Sequence, residues 1–227
     1  MNTPDESKGQ GRPLTTTSFA ILSVLALRDH STYDLTRQMQ LSLRYLWPRA
    51  ESNVYAEPPR LVAAGLAIAR EEWNGQRRRT VYGITPAGRR ALARWLASPS
   101  GRQRYESEAL LKVLFAENGS RDDLLGTIRS FRADATEVME HFIGIADRYA
   151  AGAGEYPSRF ALTGLAARLL LEQQAATLRW ATWAETVVAG WDTAVAGDFN
   201  WGVEALHRVG DGFLLEVDPL DEVLERS

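Results

Sequence analysis

The 227-residue chain is 45% hydrophobic and 24% charged, which suits one globular domain or two small ones with apolar mass for a core. It has no cysteine, which excludes disulfide scaffolds, thiolate zinc sites, iron–sulfur clusters and cysteine nucleophiles. The formal charge of −3 hides an asymmetry: residues 1–104 hold 16 Lys+Arg against 8 Asp+Glu, and residues 105–227 hold 10 against 21. Such a split predicts a basic half that faces a polyanion and an acidic half with another task. His30, His141 and His207 lie far apart, so no metal ion or other cofactor is expected. No apolar run is long enough to span a membrane. The start, MNTPDESKGQGRP, has no apolar h-region. Residues 1–14 read as a disordered tail of a soluble, cytoplasmic protein without membrane partners.

In chain order, residues 15–27 predict a buried helix capped by Thr15, Thr16 or Thr17. Ser31 followed by Asp34 has the form of a capping box. It opens a second helix to about Leu43, with Leu35, Met39 and Leu43 on one face. Trp47-Pro48 ends that pattern. A third helix begins near Arg49 or Ala50 and stops at Gly65, a C′ glycine. It contains Pro58 and Pro59, each without an N–H, so a kink or break at Glu57 is expected, with Pro58 starting a second short helix. The period then changes to two. Residues 66–73 and 80–84 predict strands joined at the Asn74-Gly75 hairpin dipeptide. Thr85-Pro86 is an N-cap followed by proline at N1, opening a helix to about Ala97. Tyr82 and Leu92 are assigned to the core.

Ser98-Pro99-Ser100-Gly101 reads as a linker, with residues 98–105 joining two domains. Residues 106–116 predict a short amphipathic helix. Ser120, with Asp122 and Asp123 in the first turn, caps a long one. Leu124, Ile128, Phe131, Ala135, Val138, Phe142, Ile145 and Tyr149 step by four and three residues, a heptad seam that requires a partner helix. Leu124, Ile128, Phe131, Val138, Phe142 and Ile145 are therefore assigned to a dimer seam. Residues 159–189 predict another long helix. Residues 198–225 read as a further helix, or as a hairpin turning at Gly210-Asp211-Gly212.

The fold class expected is mostly α with a small β-hairpin wing. A winged helix-turn-helix over 15–97 precedes an α-helical dimerisation domain over 106–227. In that plan the third helix enters a DNA major groove and the hairpin reaches the neighbouring backbone. Arg77, Arg78 and Arg79 alternate in direction along a strand, so at least two can meet phosphate. The alternative for such a run is a solvated surface. No GxSxG, SxxK, HExxH or P-loop is present, and the carboxylate pairs Glu71-Glu72 and Asp122-Asp123 are adjacent and diverge. An enzyme is not expected.

The stretches FAILSVLAL, TYDLTRQM, LWPRAESNVYAEPPRLVAAGLA and RRRTVYGITPAGRRALARWL resemble the PadR family of transcriptional regulators. Trp47-Pro48, Tyr55, Ala64-Gly65-Leu66 and the spacing of Tyr82, Thr85 and Gly88 are specific in combination. LLKVLFAEN resembles the start of that family's C-terminal helical domain. The resemblance implies a homodimeric regulator on double-stranded DNA, expected to act as a repressor on a palindromic operator. It also implies a small aromatic or drug-like effector. By position it assigns Arg49, Ser52, Asn53 and Tyr55 to the start of the recognition helix and Tyr33 to the DNA backbone. Asn53 and Arg49 suit adenine and guanine edges, and Ser52 and Tyr55 suit phosphate. A core role for Tyr55 and a solvated one for Asn53 stay open. Trp180 and Trp183, three apart on one helix, are assigned to an effector pocket, with core packing as the alternative. A rival reading is a helical protein–protein adaptor that lost DNA recognition through Pro58-Pro59.

Overall fold

The computed structural model describes residues 13–47, 51–75, 77–103, 105–194 and 201–207. The tail over 1–12, Arg49 and most of the segment 198–225 lie outside these residues; within that segment, 201–207 are helical. The chain divides into two compact units, Met1–Gln103 and Arg104–Ser227.

The first unit begins with α1 (Thr16–Leu25). Thr15 caps it through a reciprocal box with Ser18. β1 (His30–Ser31), α2 (Thr32–Leu43) and α3 (Glu51–Ala63) follow. Then come β2 (Ala67–Asn74), β3 (Arg77–Ile84) and α4 (Pro86–Leu96). Ser31 accepts the Asp34 amide at the start of α2, and Thr85 accepts the Gly88 amide at the start of α4. Gly65 ends α3 with φ +69°, a conformation that a side chain disfavours. The core gathers Ile21, Leu22 and Leu25 of α1, Leu35 and Met39 of α2, Val54 and Leu61 of α3, Ala67 of β2 and Tyr82 of β3. Leu92 of α4 is buried too.

Two features differ from expectation. The sheet has three strands, in the order β1-β3-β2 and antiparallel throughout. His30 and Ser31 pair with Tyr82 and Val81. Two residues are too few for a period to register in the sequence.

The second correction concerns α3, which runs unbroken through Pro58 and Pro59. Val54, Glu57, Pro58 and Leu61 are all buried, at the i, i+3, i+4, i+7 spacing of one helical stripe. A break at Glu57 would divide that stripe. The Glu57 carboxylate accepts hydrogen bonds from the buried Ser18 hydroxyl of α1 and from Arg60 Nη1 at 2.6 Å. Packing and this cross-link offset two missing backbone bonds, those to the carbonyls of Val54 and Tyr55. Pro59 itself is exposed. Pro59→Ala restores one N–H and relieves ring crowding without opening a cavity. It is expected to stabilise the unit by about 1–2 kcal/mol, after the loss of proline's restraint on the unfolded chain. Urea unfolding of the full chain measures this; a destabilised variant would contradict it.

The second unit holds α5 (Glu108–Leu114), α6 (Arg121–Ala150) and α7 (Phe160–Ala189). Ser120 caps α6 through a box with Asp123. Helices α6 and α7 form an antiparallel hairpin. At one end Leu124 and Ile128 pack with Ala181, Ala184 and Val188. Phe131 meets Trp180 edge to face at 5.0 Å in the middle, and Tyr149 stacks on Phe160 at 4.0 Å at the other end. Glu185 of α7 accepts from Arg129 at 2.7 Å and pairs with Arg132 at 2.8 Å. Ala135 and Phe142 are buried, and Val138 and Ile145 are half-buried. The seam assigned above to a second subunit thus meets its partner helix within one chain. The physical reason is proximity: residues 151–156 turn the chain back, and an intramolecular partner has the higher effective concentration.

Candidate nucleic-acid interface

Helices α2 and α3 and the β2–β3 hairpin supply the candidate residues of the first unit. Tyr33 lies in the first turn of α2 and is 70% exposed. Tyr55, on α3, is 44% exposed, so its ring is not in the core. Ser52 and Asn53 lie in the first turn of α3. The stripe of Val54, Glu57, Pro58 and Leu61 faces inward, so α3 is anchored by one side. It is held against α1 by the Ser18–Glu57 hydrogen bond.

The hairpin carries Arg77, Arg78 and Arg79 at the start of β3. Its register sets Trp73 opposite Arg78, Glu72 opposite Arg79 and Glu71 opposite Thr80. Opposed residues share a face, so the pairings alternate between the two sides of the hairpin. Arg78 Nε donates to Glu71 Oε2 at 2.7 Å, and the Thr80 hydroxyl donates to Glu71 Oε1 at 3.0 Å. Arg79 lies 3.4 Å from Glu72 and 3.9 Å from Asp34 of α2. Arg70, nearer the base, pairs with Asp29. The Arg78 hydrogen bond, then that from Thr80, holds the Glu71 carboxyl below the usual carboxylate range. Asp34 is lowered as well, first by the Ser31 hydroxyl and to a lesser degree by Arg79.

Each hairpin arginine with a described side chain therefore faces a carboxylate. These pairs are exposed, and exposed pairs hold weakly and yield to salt or to a competing anion. A phosphate that engages Arg78 or Arg79 must displace or tolerate Glu71 or Glu72. By sequence the two carboxylates stood out only as an adjacent, diverging pair, and the 72%-exposed Trp73 was assigned no role. The available signal was a tryptophan and two acids immediately before a hairpin dipeptide.

In the second unit Trp180 and Trp183 do not share a pocket. Trp180 turns into the α6–α7 seam against Phe131. Trp183 stacks on Trp201 with centroids 6.0 Å apart, and Trp191 meets Trp201 edge to face at 5.6 Å. Arg121 Nη1 donates to the Trp191 carbonyl at 2.8 Å, which ties this trio to the start of α6. Three residues on a helix leave a net offset of about 60°, so the two indoles start on one face, and their different neighbours, Phe131 and Trp201, separate them. Among the described residues no group of His, Asp and Glu is placed to hold a metal ion, and no helix is long and apolar enough to cross a membrane.

A three-helix head, a three-stranded sheet and an arginine-bearing hairpin define a winged helix-turn-helix unit, here joined to a helical second unit. Residues 21–94 match the transcriptional regulator PadR-like family, and residues 106–189 match the virulence activator alpha C-terminal family. The first unit is thus similar to the PadR-like family of transcriptional regulators, and the second to the C-terminal domain of the virulence activators. It is 27% identical over 144 residues to the probable transcriptional regulator Rv1176c of Mycobacterium tuberculosis, covering 57% of this chain and 74% of that one. Bacillus subtilis PadR in complex with operator DNA has the same fold, with a TM-score of 0.64 at 20% identity over 77% of this chain and 99% of that one. The same protein in complex with p-coumaric acid aligns with a TM-score of 0.61, also at 20% identity, over 77% of this chain and 99% of that one. The Vibrio cholerae virulence activator AphA aligns with a TM-score of 0.54 at 26% identity over 76% of this chain and 96% of that one.

Proposed function

We propose that this regulator is a homodimer that binds a palindromic operator and represses transcription there. The observation that carries this reading is the head itself, with α3 anchored on one side and an arginine hairpin beside it. In this reading the first turn of α3 enters the major groove. Arg49 and Asn53 read base edges, Ser52 and Tyr55 hold phosphate, and Tyr33 meets the backbone from the start of α2. Arg77, Arg78 and Arg79 exchange carboxylate or water for phosphate. Two-fold symmetry then sets half-sites about 34 Å apart.

The second copy attaches through apolar side chains left uncovered within the second unit. Leu162, Leu165 and Leu169 form an exposed stripe on α7, and Leu110, Leu111, Leu114 and Phe115 are exposed on and after α5. Bundled helices bury such stripes against one another. The effector in this reading is a small aromatic acid or drug-like molecule. Its support is the p-coumaric acid complex of Bacillus subtilis PadR together with the partly exposed indoles of Trp183 and Trp201. It must favour one arrangement of the two heads over another in order to release DNA.

The test is a titration of the duplex upstream of the protein's own gene at several salt concentrations. The double variant Arg77→Ala/Arg78→Ala is expected to reduce the slope of log K against log[salt] by about 2 per head, near 0.9 for each phosphate no longer neutralised. An unchanged slope would remove the hairpin from the interface. The adaptor alternative predicts weak binding to this duplex without sequence preference, whereas a regulator protects a defined footprint.

A further inference from the structure

Trp73 is the largest side chain exposed on the hairpin. Its 72% exposure contrasts with the buried aromatic of the same sheet, Tyr82, at 8%. It occupies the penultimate position of β2, one residue before Asn74, the last to pair ahead of the turn at Gly75. The register puts it directly across from Arg78. An indole displayed beside cationic side chains at a hairpin tip suits a surface that is anionic at its rim and apolar within. The minor groove of duplex DNA is such a surface. Phosphates line its edges, deoxyribose forms its walls, and its width of about 6 Å admits a flat ring edge-on.

Electrostatics alone leaves this hairpin a modest grip. Arg70, Arg78 and Arg79 each face a carboxylate, so moving them onto phosphate exchanges one anion for another. Glu71 and Glu72 then lie close to the DNA backbone and oppose the approach. The indole carries no such penalty. It loses unfavourable contact with water whatever the salt concentration, and aromatic or apolar wedges can also unstack a base step.

We propose that Trp73 is the wing's apolar DNA contact, seating its indole against the sugars and base edges of the minor groove that flanks the site of α3. This rests on the DNA-binding reading above and adds to it a residue of different chemistry. Arginine contacts steepen the dependence on salt, while a tryptophan contact adds affinity without changing that dependence.

The experiment uses the full chain and two labelled 30-bp duplexes, one from the region upstream of its own gene and one of random sequence. Wild type, Trp73→Ala and Trp73→Phe are titrated at several salt concentrations. Trp73→Ala is expected to weaken binding to the upstream duplex roughly 10-fold, within the range for removal of one base–aromatic stack. The slope of log K against log[salt] should match wild type. Trp73→Phe should recover most of the affinity, because the ring is kept. Thermal melting of both variants should match wild type, as an exposed side chain contributes little to the core. Affinity within twofold of wild type for Trp73→Ala overturns the proposal and leaves the DNA-binding reading intact. Weaker binding with a shallower salt slope also overturns it, because the indole would then be acting through the arginines. Equal binding of both duplexes by the wild type overturns the underlying reading instead.

Discussion

Gly88→Ala is expected to destabilise the N-terminal unit by about 3 kcal/mol or more, a large part of the usual 5–15 kcal/mol stability of a domain. A Cβ at this position would lie 2.1 Å from the Leu66 carbonyl oxygen and 2.8 Å from Ile84 Cγ1. The carbonyl has little freedom to yield. It accepts the Thr85 amide at 3.0 Å, while the Thr85 hydroxyl donates to the Gly65 carbonyl at 2.8 Å and accepts the Gly88 amide at 3.0 Å. Relief requires α4 to lift from the strand that precedes it, which breaks the cap. The spacing of Thr85 and Gly88 therefore has a mechanical reason: the threonine caps the helix, and the missing side chain lets the cap close on the β2 entry. Urea unfolding followed by circular dichroism measures the effect. Gly101→Ala, in open space and with an unstrained backbone, serves as the control and should stay within about 0.5 kcal/mol of wild type. A Gly88→Ala change of the same small size would refute the steric argument.

Ile128→Ala is expected to cost about 2–5 kcal/mol in the helical unit, and Ile128→Val only about 0.5–1.5 kcal/mol. Ile128 is 1% exposed and meets Ala181 and Ala184 of α7, whose methyl groups are too short to fill the space it would leave. Leu124, Leu125 and Val188 belong to the same buried cluster, and the two long helices that carry it limit its collapse. With homodimerisation as proposed, the alanine variant should also dissociate at concentrations where wild type is dimeric. Operator affinity would fall with it, since each head alone engages one half-site. Sedimentation and unfolding on the same samples separate the two effects. An alanine variant as stable as the valine variant would show that Ile128 does not hold the hairpin together.

The seam and the proline pair illustrate how far local pattern reaches. Leu124, Ile128 and Phe131 fall in a heptad order that demands a facing helix, and the demand is met. Spacing along one helix says nothing about which chain supplies the other, and the turn at 151–156 supplies it from within. Pro58 and Pro59 carry a real local penalty. It is outweighed by Val54, Glu57 and Leu61, which come from either side of the prolines and reach one buried face only if the helix continues. Glu57 adds a hydrogen bond to Ser18, 39 residues earlier, a pairing with no sequence signature.

At the candidate interface the same division holds. Three consecutive arginines predicted a cationic hairpin, and Asn74-Gly75 placed its turn to within one residue: Asn74 still pairs with Arg77, and the chain leaves β2 at Gly75. The neutralising partners emerge only from the register, which brings Glu71 within reach of Arg78 and Glu72 opposite Arg79. Likewise, Trp180 and Trp183 were legible as aromatic and helical. Their separation, one into the seam and the other onto Trp201, depends on what surrounds the helix.

Sequence by itself determined the caps, most helix ends and the hairpin, because these depend on backbone dihedrals and on contacts within a few residues. Tertiary structure alone decided that α3 stays whole, that α7 fills the α6 seam, that β1 joins the sheet and that the wing's cations face anions. Each of those outcomes is a competition between distant groups for one space, and the energies that settle it exist only once the chain has brought those groups together.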